Sequence, residues 1–114
     1  MKYLFVLLFF IGSFAYSQEI DHKTTNTSFK VRGVCDMCKL RIEKGTVKIK
    51  GVKYASWDID SNNLSIIYNS KKINLDNIHK KISELGHDTE IHKANEKVYK
   101  SLPECCYYKT LTIH

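Results

Sequence analysis

The stretch Phe29-Lys30-Val31-Arg32-Gly33-Val34-Cys35-Asp36-Met37-Cys38 decides the fold. Phe29 and Val31 alternate with Lys30 and Arg32, the two-residue period of a half-buried strand. Gly33 ends that strand, and two cysteines separated by Asp36-Met37 follow at once. A second periodicity starts inside the cysteine pair. Cys38, Ile42 and Thr46 share one helical face, with Ile49 approaching from the next turn, which predicts a helix from about Asp36 to Ile49. Gly45 weakens that helix by up to about 1 kcal/mol relative to alanine and implies close packing against the sheet. The cysteines therefore stand where a strand hands over to a helix.

Working outward, Gly51 stops the helix, and Val52, Ala55, Trp57 and Ile59 read as a second strand with core-facing alternation from Ala55. Asp60-Ser61-Asn62-Asn63 is a turn cluster, and Leu64, Ile66 and Tyr68 alternate after it, the signature of a β-hairpin. Asn74 is a good N-cap for a second helix with the apolar face Leu75, Ile78, Ile82 and Leu85, closed by Gly86. Thr89 and Ile91 alternate with Asp88, Glu90 and His92 as a last strand. The order strand, helix, strand, strand, helix, strand predicts an α+β fold. It is the ferredoxin-like βαββαβ sandwich, a four-stranded antiparallel sheet with two helices on one face, over residues 27–93.

The ends of the chain read differently. Lys2, the apolar run Tyr3–Ile11 and the small-x-small pattern Ala15-Tyr16-Ser17 predict a cleaved secretory signal peptide over residues 1–17. The apolar run is short of the about 20 residues that span a membrane. The expected location is therefore periplasmic or secreted, with nothing embedded in a membrane after cleavage. Residues 18–26 are polar and aperiodic, a flexible lead-in, and residues 94–114 form a tail holding Cys105-Cys106. Ala94–Leu102 is long enough for one or two helical turns before Pro103, and Val98, Leu102, Tyr107 and Tyr108 predict that the tail packs on the domain. Leu111 and Ile113 alternate with threonine as a weak end strand. The formal net charge is +6, but the lysines are scattered, and a nucleic-acid role needs a basic patch on one face.

Thiolates are the chemistry this placement favours. Helix N-terminal amides stabilise negative charge, and Lys39 and Arg41 add positive charge nearby. Two soft sulfurs on one loop and first turn suit copper(I), mercury(II) and similar ions, whereas zinc calls for four ligands. A pair near the surface also leaves the ion open to a partner's cysteines. No general base, nucleophile set or phosphate loop is arranged for catalysis, so the expected role is metal binding and not an enzyme. A thiol-disulfide oxidoreductase is the competing reading of C-x-x-C at a helix start. Against it, no tryptophan precedes Cys35, the single proline is the distant Pro103, and the element order is not thioredoxin-like.

The segment from about Phe29 to Ile91 resembles the heavy-metal-associated domain, the family of copper chaperones and the periplasmic mercury-binding protein. The resemblance rests on the strand into Gly33, Cys35-x-x-Cys38, Ile42-Glu43 one turn later, Gly51-Val52 at the second strand and Glu84-Leu85-Gly86 closing the second helix. It implies the ferredoxin-like fold, Cys35 and Cys38 as metal ligands, and metal ion transport to an accepting protein with its own cysteines. The chain departs from the family's Gly-Met-x-Cys, having Gly33-Val34-Cys35 and no methionine before the first cysteine; in the family that methionine anchors the loop. Met37 lies between the cysteines instead. The resemblance also places His87 in the loop beside the metal, where an imidazole can reach the ion. His22, His79, His92 and His114 read as solvated.

Cys105 and Cys106 fall outside the resemblance, and three readings compete for them. They add ligands beside Cys35 and Cys38 in a tetrathiolate site that favours zinc or a copper cluster, they form a separate soft-metal site, or they make disulfides within the chain or to another protein, which an oxidising compartment favours. The expectation from sequence is thus an exported copper(I) metallochaperone or scavenger, with a mercury(II)-binding protein as the chemical neighbour.

Overall fold

The computed structural model describes residues 24–113. The signal-peptide reading, residues 18–23 of the lead-in, His22 and His114 lie outside the described residues. Three strands are present among these residues: β1 (Thr24–Lys30), β2 (Val52–Trp57) and β3 (Asn63–Asn69), antiparallel in the order β1-β3-β2. Two helices, α1 (Asp36–Val47) and α2 (Leu75–Ser83), alternate with them, and a short α3 (Glu96–Lys100) leads to a single 3-10 turn, Glu104–Cys106.

β3 is central because Leu64, Ile66 and Tyr68 put three buried side chains on the helix-facing side, at 0%, 1% and 7% exposure. In β2 the register shifts between Val52 and Tyr54. A bulge reverses the parity of a strand, which is why Val52 and Trp57 both reach the core. Cys38, Ile42 and Thr46 are the buried stripe of α1, as the period predicts. Asn74 caps α2, its side-chain oxygen accepting from the Asn77 amide at 2.8 Å. Gly86 ends the helical segment with φ +107°, a left-handed conformation that favours glycine.

Several expectations are corrected. The sheet has three strands among the described residues, not four. Thr89 meets Val31 in one isolated bridge, and the chain then turns away. The Thr89 hydroxyl accepts the amides of Ile91 and His92 at 3.1 and 3.0 Å, closing a local turn. The Glu90 carboxylate takes the Lys30 amide at 2.7 Å, so a side chain stands where a ladder carbonyl would be. Ile91 consequently points to solvent. β1 begins at Thr24, within the stretch expected to be a flexible lead-in, because Thr24, Thr25 and Asn26 pair with Asn69, Tyr68 and Ile67. Gly45 packs against the second helical segment and not the sheet: a Cβ there would lie 2.4 Å from Leu85 Cδ1. Leu111 and Ile113 form no strand and are exposed.

The tail does pack on the domain. Tyr99, Leu102 and Tyr108 are buried, and Leu102 covers Gly86. The Tyr108 hydroxyl donates to the Gly86 carbonyl at 2.8 Å and accepts the Asp88 amide at 3.0 Å.

Candidate metal centre

The loop between β1 and α1 is held from three sides. The Val31 carbonyl accepts the Trp57 indole N–H at 2.9 Å, and the Arg32 amide donates to the Asp88 carbonyl at 2.9 Å. Asn62 clasps Gly33 in both directions, accepting its amide at 3.4 Å and donating to its carbonyl at 3.1 Å. Asn62 does this from a left-handed backbone, φ 64°, which asparagine tolerates better than most residues. Val34 is buried, so the loop keeps an apolar anchor without the family's methionine.

Gly33 is fitted against Trp57. An added Cβ would lie 2.8 and 2.9 Å from the indole carbons Cζ2 and Cη2 and 3.0 Å from Cys38 Cβ. Neither neighbour is a flexible side-chain end. Gly33→Ala is therefore expected to cost about 1–3 kcal/mol, the usual range for overpacking, read as a lower urea midpoint with unchanged slope.

Cys35 occupies the N-cap position of α1 in extended backbone, φ −149° and ψ 174°. Its Sγ lies 3.5 Å from Cys38 Sγ and also 3.5 Å from Cys106 Sγ. The sulfurs of Cys35, Cys105 and Cys106 all lie within 4.8 Å of one another. All four thiols are free, with Cys35, Cys38 and Cys106 buried and Cys105 half-buried. The open, surface-facing pair expected from sequence is thus corrected: Cys35 is 4% exposed and Cys38 is fully buried.

The four thiols are electrostatically unequal. Burial pushes the Cys35 thiol up, but the Cys38 amide and the thiols of Cys38, Cys106 and Cys105 outweigh it, and the net shift is downward. Burial dominates at Cys38, against the Val34 amide that donates to its sulfur at 3.5 Å, and raises it. Cys106 is also raised, by burial and then by the neighbouring sulfurs. Cys105 is raised chiefly by its hydrogen bond to Cys35. Cys35 is therefore the thiol that ionises first. The positive charges read from sequence go elsewhere: Lys39 Nζ binds Glu43 at 2.7 Å and the Trp57 carbonyl at 2.8 Å, and Arg41 Nε donates to the Leu85 carbonyl at 3.0 Å.

His87 is fully buried, stacked on Tyr108 with ring centroids 5.3 Å apart. Its Nδ1 donates to the Arg32 carbonyl at 2.8 Å, leaving Nε2 as a buried lone pair with no partner. The sulfur cluster does not include it. Burial, only partly offset by the Arg32 carbonyl, lowers its pKa to about 4. Below an ordinary histidine value near 6.5 the unfolded chain binds this proton and the folded chain does not, so stability is full above that pH and falls on acidification towards 4. The loss approaches about 3 kcal/mol at most. In the metal-free chain the urea midpoint is expected to fall between pH 6.5 and 4, with a shallower fall in His87→Asn.

Met37 is exposed. His79, expected in solvent, is buried instead: it lies 3.9 Å from the Phe29 ring and pairs through Nδ1 with the Thr89 hydroxyl at 2.7 Å. His92 pairs with Asp76 at 2.9 Å. Sequence reasoning missed Asn62 as the clasp of the loop, for which asparagine in a turn cluster was the available signal. It placed Tyr108 on the domain without its hydrogen bonds to Gly86 and Asp88.

The model of the heavy-metal-associated domain family matches residues 28–88. The chain is 31% identical over 67 residues to the copper chaperone CopZ of Staphylococcus epidermidis, covering 58% of this chain and 98% of that one. Among solved structures it is similar to the N-terminal domain of a potential copper-translocating P-type ATPase from Bacillus subtilis in the Cu(I)-loaded state. That likeness has 28% identity, covers 58% of this chain and 84% of the other, and has a TM-score of 0.54. Oxidized MerP from Ralstonia metallidurans shares the fold at 13% identity and a TM-score of 0.51, with coverage of 58% and 96%.

Proposed function

The chain belongs to the heavy-metal-associated domain family, and from that premise we propose that it carries copper(I) as an exported metallochaperone or scavenger. The observation that carries this reading is the Cys35–Cys38 pair, two free thiols 3.5 Å apart at the N-terminus of α1. Soft thiolates take copper(I) in preference to hard cations. Mercury(II) suits the same pair, but the relatives with useful identity are named for copper. Zinc would need two further ligands. Export is supported by Lys2, the apolar run to Ile11 and Ala15-Tyr16-Ser17. No helix among the described residues is long and apolar enough to cross a membrane.

The proposed recipient is a copper-accepting protein with a cysteine pair of its own, such as a transporter's metal-binding domain. An incoming thiolate bonds to the ion, the coordination number rises by one, and one of this chain's sulfurs then leaves and is reprotonated. The ion is never free in water. Mixing the copper(I)-loaded chain with a metal-free Cys-x-x-Cys domain tests this. Transfer should accelerate with acceptor concentration and outpace release to a chelator. Transfer at the chelator-limited rate, whatever the acceptor concentration, would overturn the handover.

A further inference from the structure

We propose that the C-terminal tail completes the metal site, so that copper(I) is held by Cys35, Cys38 and sulfur from the Cys105–Cys106 pair of the same chain. The proposal rests on the copper reading and extends it to a ligand shell of at least three sulfurs.

A metal–thiolate bond of about 2.3 Å places neighbouring sulfurs about 3.8 Å apart in a tetrahedral shell and about 4.0 Å apart in a trigonal one. Cys106 Sγ is as near to Cys35 Sγ as Cys38 Sγ is, at 3.5 Å. The Cys35, Cys105 and Cys106 sulfurs all lie within 4.8 Å of one another, close enough for one ion to reach. Cys35 joins the two sets: its sulfur touches Cys38 on one side and belongs to the cluster with Cys105 and Cys106 on the other.

The tail's position does not depend on the sulfurs. Leu102 seats on Gly86, and Tyr108 is fixed by the Gly86 carbonyl and the Asp88 amide. The Lys109 amide donates to the Tyr99 hydroxyl at 3.2 Å, and Arg32 lies over the Tyr108 ring at 5.1 Å. Cys106 is delivered by the 3-10 turn, whose Cys106 amide bonds the Pro103 carbonyl at 2.8 Å. The third ligand is therefore preorganised, and little ordering entropy is lost when it binds.

The competing fate of two adjacent cysteines, a disulfide with each other, is disfavoured by geometry. Consecutive Cα atoms are about 3.8 Å apart across a trans peptide, short of the about 4.4–6.8 Å that disulfides span. A bridge between these two neighbours therefore does not take both thiols from the ion, and all four thiols are free here. A shell closed from within the chain also alters handover: an acceptor's thiolate must displace the tail's sulfur, so the chain holds copper more tightly and releases it more slowly than a two-sulfur site.

The test is copper K-edge X-ray absorption on the phosphine-reduced, copper(I)-loaded full chain with no added thiol. Parallel samples carry Cys105→Ser/Cys106→Ala and Cys35→Ser/Cys38→Ser, with far-ultraviolet circular dichroism checking that each folds. The unmutated chain should give three or more sulfurs. The tail variant should drop to two with a shorter copper–sulfur distance, and its copper(I) affinity should fall at least about tenfold, since even the loss of an outer supporting group costs that much. Two sulfurs in the unmutated chain would overturn the tail's role while leaving the copper reading intact. Failure of the unmutated chain to bind copper(I) would overturn both. Because that spectrum comes from the unmutated chain, a misfolded variant does not decide the outcome.

Discussion

Cys35→Ser is expected to lower the copper(I) affinity of the reduced chain more than about a hundredfold, beyond the cost of losing an outer supporting group. The loss should exceed that of any other single cysteine substitution. Cys35 is the shared member of both 3.5 Å sulfur contacts. It is also the one thiol whose pKa moves down, because amide and thiol donors overcome its burial. A serine there keeps the N-cap position and the loop, but its hard oxygen is a poor copper(I) ligand. Competition against a chelator, with Cys38→Ser and Cys106→Ala alongside, checks the ranking. Affinity within tenfold of the unmutated chain would mean that the ion sits elsewhere.

Trp57→Ala should destabilise the fold by about 3–5 kcal/mol, the range for removing a large buried aromatic. Trp57 is 1% exposed and ties β2 to the metal loop by packing on Gly33 and by donating its indole N–H to the Val31 carbonyl. Its backbone amide also holds the Glu43 carboxylate of α1 at 2.7 Å. Truncation leaves a cavity beneath Gly33 and a buried carbonyl without its donor, so the two losses add. Urea unfolding of the metal-free protein measures it. A cost below about 1 kcal/mol would mean that the site collapses around the alanine.

What the sequence made legible was periodic. The stripe Cys38, Ile42 and Thr46, the hairpin Ala55-to-Tyr68 pattern and the Asn74 cap all express a side-chain spacing, and each element formed near its expected bounds. The misses come from backbone and side-chain bonds that leave no spacing. Thr24–Asn26 join β1 through pairing with Asn69, Tyr68 and Ile67, and their polar side chains carry no apolar alternation. The expected last strand is reduced to one bridge at Thr89, because the Thr89 hydroxyl and the Glu90 carboxylate take the amides that a ladder would use. At the site, the cysteine pair was readable because helix start and spacing coincide. The depth of its burial was not, since that depends on Tyr108 and Leu102 bringing the tail back across Gly86, which lies 22 residues before Tyr108.

The most direct test of the central claim is an anaerobic copper(I) titration of the reduced chain against a competing chelator. One tightly held ion per chain is expected, lost in Cys35→Ser/Cys38→Ser. An unmutated chain that fails to compete for copper(I), or a double variant that binds as well as it does, would contradict that claim.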